Sequence, residues 1–70
     1  MEYNIGTVVT LKKGEGRFLK SGGLWVYDNE IASIMGSFVN GDIKLKCKGC
    51  GRIVMVPRKT FEKSVKKILQ

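Results

Sequence analysis

The sequence predicts a small, mainly β domain: an antiparallel sheet of four to five short strands, strongly curled, with one C-terminal α-helix. Three observations carry that reading. Asn40-Gly41 sits between apolar runs, the strongest short-range mark of a β-hairpin. Residues 42–48, DIKLKCK, alternate apolar and basic, the period of a strand with one buried face. The chain has 70 residues, so it makes a single domain, 1–70, whose small core favours a sheet closing on itself over one with long open edges. The economical forms are partial barrels of the SH3-like or OB-like kind.

The elements follow in chain order. Residues 5–12 read as a first strand, with Ile5, Thr7, Val9 and Leu11 on one face. Residues 12–23, KKGEGRFLKSGG, read as a loop, because four glycines and three lysines offer little to a core. Leu24–Tyr27 resumes as a strand. In residues 28–39, Ile31, Ile34, Met35 and Phe38 match helical spacing, and Asp28 or Asn29 could cap such a turn. Gly36 opposes a helix by about 1 kcal/mol, and the hairpin beyond needs an extended approach, so a strand ending at Val39 is favoured. Asn40-Gly41 then forms a type I′ turn.

The returning strand, 42–48, puts Ile43, Leu45 and Cys47 inward and Lys44, Lys46 and Lys48 outward. Gly49 and Gly51 turn the chain into Ile53–Val56, an apolar run typical of a central strand covered on both faces. Pro57 ends it. From about Lys59 an amphipathic helix carries Phe61, Val65, Ile68 and Leu69 on one stripe, with a cap near Thr60.

Charge is placed unevenly. The total is +7, yet residues 1–42 hold four basic groups against five acidic ones, and residues 43–70 hold nine against Glu62 alone, a local +8. Such an excess concentrates anionic partners near one surface. No stretch resembles a secretory leader or reaches the roughly 18 apolar residues of a membrane span, so a cytoplasmic protein without a membrane partner is expected. There is no histidine, and no paired carboxylates or serine beside a base mark a catalytic constellation, so a non-enzyme without cofactor is expected.

Cys47 and Cys50 form a C-x-x-C knuckle, the half-site of many zinc modules, but no other cysteine or histidine accompanies them. One chain alone offers two of the four ligands a structural zinc takes, so metal binding requires Cys47 and Cys50 to be shared between chains or carboxylates such as Asp42 and Glu62 to join them. Dithiol redox chemistry ordinarily sets the motif at a helix start in a βαβ unit, which is not the pattern here. The favoured reading is a structural turn with one buried thiol.

The run DIKLKCKGCGRIVMVPRKTFEK, followed by Lys66-Lys67-Ile68-Leu69, resembles the C-terminal half of short bacterial proteins of domain-of-unknown-function family 951, and GTVVTLKK at 6–13 is similar to their opening strand. Members carry Pro-His-Pro-Cys-Gly after the Lys-Lys pair, where this chain has Gly14-Glu15-Gly16-Arg17 and runs longer before Cys47. The family's third and fourth metal ligands are therefore absent. The resemblance implies a small bacterial barrel-like domain and lends no activity.

Nucleic-acid binding through the basic half is the leading functional expectation. Lys44, Lys46 and Lys48 are the primary candidates, since alternate residues of a strand are about 6.6 Å apart, comparable to phosphate spacing along one strand. Arg52, Arg58, Lys59, Lys63, Lys66 and Lys67 are candidates to extend the footprint, and Phe18, Trp25 and Tyr27 to stack on bases, although Trp25 is first a core residue. The alternative is a protein-interaction module that docks on an acidic protein or homodimerises through the knuckle, with the free chain a monomer.

Overall fold

The computed structural model describes residues 4–69. Five strands, β1 (Val8–Phe18), β2 (Leu24–Ser37), β3 (Ile43–Cys47), β4 (Ile53–Val56) and β5 (Val65–Ile68), enclose the core, with one helix, α1 (Arg58–Ser64), between β4 and β5. Strands β1 to β4 form a meander in which each pairs antiparallel with the next, and β4 returns to pair with β1. That closes a four-stranded barrel, to which β5 adds along β1. The predicted mainly β barrel is therefore the fold. Its sequential hairpins differ from the Greek-key path of an OB barrel.

Closure depends on two long strands that change face midway. On β2, Trp25 and Tyr27 point inward, then Ala32 and Ile34 do, so the inward phase moves from odd to even positions. Asn29 lies at the switch with φ 57°, the left-handed conformation that asparagine tolerates better than most residues. On β1 the buried positions pass from Val9 and Leu11 to Gly16, opposite the same corner. Each long strand thus serves two sides of the barrel.

Several expectations change. The first strand begins at Val8, and Ile5 lies outside it, 75% exposed. Residues 12–18 are not a loop: β1 runs on to Phe18. The glycines there serve close packing, because a Cβ on Gly16 would stand 2.6 Å from the Met55 carbonyl oxygen and 2.7 Å from Val56 Cγ2. Strand β2 ends at Ser37 rather than Val39. The hairpin is not a two-residue type I′ turn, since Gly41 N–H donates to Phe38 C=O at 2.9 Å and Phe38 N–H to Asp42 C=O at 2.8 Å. Only Gly41, at φ 95°, takes positive φ there, which makes a three-residue loop with a bulge glycine.

The C-terminal segment differs most. The helix stops at Ser64, and Val65–Ile68, read as its continuation, is β5. Strand β4 reaches β1 only at Arg17 and Phe18, leaving the edge of Val9–Leu11 open, and β5 satisfies it with Ile68 opposite Val9 and Val65 opposite Leu11. A short helix is marginal by itself, so edge pairing and burial of Phe61 decide the boundary. Pro57 holds the N-cap position with no side-chain cap bond, and Thr60 lies within the helix. Outer residues Ile53 and Met55 of β4 are half-buried, so that strand is covered fully on one face only.

Candidate nucleic-acid interface

The alternation holds over β3, which spans Ile43–Cys47 rather than 42–48, so Lys48 falls in the turn that follows the strand. Ile43, Leu45 and Cys47 are buried, and Lys44, Lys46 and Lys48 lie on the outside. Pairing registers give that outer surface its neighbours. Lys44 stands opposite Gly36 on β2 and Met55 on β4, Met55 stands opposite Arg17 on β1, and Arg17 opposite Leu24. A belt therefore crosses the barrel with Lys44 and Arg17 flanking the thioether of Met55. The next row places Lys46 between Ser33 and Ile53.

Arg52 joins this surface from the knuckle. Its carbonyl accepts the Cys47 N–H at 3.0 Å, and its guanidinium carbon lies 5.3 Å from the centroid of the Phe18 ring. The only side-chain ion pair among the described residues is Arg58–Glu62 at 4.0 Å, on the helix. Lys44, Lys46, Lys48, Arg17 and Arg52 therefore carry no carboxylate partner among those residues. Arg17 contributes from the half of the chain with no basic excess, and composition gave no signal for it; its register opposite Met55 does.

The remaining candidates form a second group. Arg58, Lys59 and Lys63 lie on α1, and Lys66 and Lys67 on β5. Strand β5 is joined to β1, which β2 and β4 separate from β3 around the barrel. Topology thus divides the basic residues between two sides. Of the stacking candidates, Trp25 (7% exposed) and Tyr27 are in the core, their ring centroids 4.7 Å apart, and are withdrawn from any base. Phe18 is half-buried, packed against the core with the Arg52 guanidinium over its ring.

The knuckle has one buried and one exposed thiol. Cys47 Sγ lies 3.5 Å from Glu30 Oε2 and accepts the Cys50 N–H at 3.5 Å. Burial pushes the Cys47 thiol pKa up, whereas the Arg52 backbone N–H directed at Cys50, together with the neighbouring Cys47 thiol, holds that of Cys50 down. The carboxylate beside the knuckle is Glu30, not Asp42 or Glu62; Asp42 is engaged by Asn40 and Glu62 by Arg58. No group of three or more cysteine or carboxylate side chains placed to hold a metal occurs among the described residues. Nor is any helix among them long and apolar enough to cross a membrane.

Comparison with known proteins divides the chain into two overlapping stretches. Residues 38–69 match a family described as bacterial protein of unknown function (DUF951), and residues 9–44 match the PUA-like domain. A curated relative, the uncharacterised protein YyzM of Bacillus subtilis (strain 168), is 54% identical over 28 residues, which is 40% of this chain and 41% of that protein. The match therefore spans about two fifths of the relative's length. No solved structure matches the chain.

Proposed function

The chain belongs to DUF951, a family of bacterial proteins of unknown function, and through residues 9–44 to the PUA-like domains, and from that premise we propose that it binds nucleic acid on the outer surface of β3 and β4. The observation that carries the reading is that Lys44 and Lys46 on β3 and Lys48 in the turn after it face outward, without carboxylate partners among the described residues. Unpaired cations on a rigid strand meet phosphates without first breaking an internal ion pair, and their affinity comes from counterion release. Met55 and Ile53 between the charges supply apolar contact for sugar and base.

The test is a titration of isotope-labelled protein with short single-stranded and duplex oligonucleotides at low and moderate salt. Salt-sensitive amide shifts on residues 44–56 are expected. Absence of shifts at low salt overturns the proposal. Equal shifts with polyglutamate, lacking the salt slope of a phosphate chain, would assign the face to an acidic protein partner instead.

A further inference from the structure

Beside the lysine row the surface opens into a groove of about 720 Å³ lined by Phe18, Leu19, Lys20, Ser21, Arg52 and Ile53. Its composition is specific: an aromatic and two aliphatic side chains, two cations, one hydroxyl and no acid. The volume falls within the range of small-ligand sites, roughly 300–1,000 Å³. We propose that this groove is a nucleotide subsite, which takes one unstacked base of a single strand against Phe18 and Leu19 while Lys20 and Arg52 hold its phosphate. The inference rests on the reading of the β3 face as a nucleic-acid surface and names the part of the ligand that this surface would orient.

Three features support a flat anionic occupant. The Arg52 guanidinium already stands over the Phe18 ring at 5.3 Å, a cation–π arrangement that places a positive charge beside the aromatic side chain of the groove. The turn forming one wall is held rigidly, because Gly22 N–H donates to Phe18 C=O and Phe18 N–H to Gly23 C=O, both at 2.8 Å, while Leu19 N–H donates to Ile53 C=O at 3.0 Å. Arg17 Nη1 also donates to Gly22 C=O at 3.2 Å, which ties the turn to the belt of Lys44 and Met55. Finally, Ile53 belongs both to the groove and to the row of Lys46, so a strand following the lysines arrives at the groove. A duplex has no free base to place there.

Two strands of eight nucleotides, an oligothymidylate and one abasic at every position, have the same phosphates and differ in bases. Fluorescence anisotropy should show the abasic strand binding roughly tenfold more weakly, the scale of losing a stacked base. Leu19→Ser, at an exposed side chain whose backbone is fixed, should shrink that difference toward unity. Equal affinity for both strands in the wild-type protein overturns the subsite and leaves the phosphate-binding face standing. Binding of neither strand at low salt overturns both. If a tryptophan-containing acidic peptide moves the Phe18 and Leu19 amides and the oligonucleotides do not, the groove is a peptide site and the nucleotide is excluded.

Discussion

The hydroxyls of Tyr27 and Ser64 lie 2.6 Å apart inside the barrel, joining β2 to the last turn of α1. Ser64 donates to the Thr60 carbonyl at 2.6 Å, so Tyr27 acts as donor to Ser64. Gly14 lies directly beneath, where a Cβ would stand 2.9 Å from Ser64 Oγ. The bond therefore fixes the helix end against the corner where the two long strands change face, and from that position Val65 enters β5.

Donor direction makes the two partners unequal. Ser64→Ala leaves a buried phenol without an acceptor and should cost about 1–3 kcal/mol, whereas Tyr27→Phe leaves Ser64 bonded to Thr60 and should cost about 0.5–1.5 kcal/mol. For a domain of this size each kcal/mol lowers Tm by roughly 4–8 °C. Thermal unfolding followed by circular dichroism checks the order, and a larger loss for Tyr27→Phe contradicts the assignment of the donor.

Tyr27 also sets an alkaline limit. Burial raises its pKa above the ordinary 10.0. The folded phenol keeps its proton while the unfolded one releases it, so the contribution is complete below pH 10.0 and falls as pH rises toward and through the folded value. Urea midpoints measured from pH 8 upward should show a decline above about pH 10 that is reduced in Tyr27→Phe. An identical decline in the variant would place the titrating group elsewhere.

Gly16→Ala tests the reading of residues 12–18 as a packed strand. The new methyl meets the Met55 carbonyl and Val56, neither of which can yield without opening the β1–β4 seam. Overpacking of this kind costs about 1–3 kcal/mol, and backbone contact places the site at the upper end. A variant with unchanged Tm would show that the segment is not held as a strand against β4.

That segment also shows what the sequence could and could not convey. Alternation in residues 42–48 and the apolar run 53–56 were legible because each strand's burial is written in its own side chains. The stretch KKGEGRF carried no such pattern, since its inward position is a glycine whose purpose is visible only when Met55 and Val56 lie across it. Val65–Ile68 kept a helical stripe of apolar residues, and the competing demand, an unpaired edge on β1, lies more than 50 residues away. The basic row on β3 was equally legible, but Arg17 and the groove depend on cross-strand registers that no local window contains.

The knuckle thiols should react in a fixed order. Cys50 is exposed with a thiol pKa held below the usual 9.0, while Cys47 is buried with its pKa raised. Iodoacetamide at neutral pH, followed by peptide mass spectrometry, should label Cys50 first and Cys47 only under unfolding conditions, because the thiolate is the reacting form. Comparable rates at the two positions would show that the turn opens readily.

The division of basic residues between two sides of the barrel allows a matched pair of charge reversals. Lys44→Glu/Lys46→Glu/Lys48→Glu and Lys63→Glu/Lys66→Glu/Lys67→Glu change net charge equally, so any effect of overall charge is the same in both. All six side chains lie outside the core, and both variants should retain the wild-type circular dichroism spectrum. If β3 carries the phosphate contacts, the first variant loses oligonucleotide binding at moderate salt and its log–log salt slope falls by about 2 at low salt, the share of three single-strand contacts. The second keeps the wild-type slope and weakens binding only through the screened long-range field. Equal losses in the two variants would mean that affinity follows net charge and that the β3 face has no privileged role.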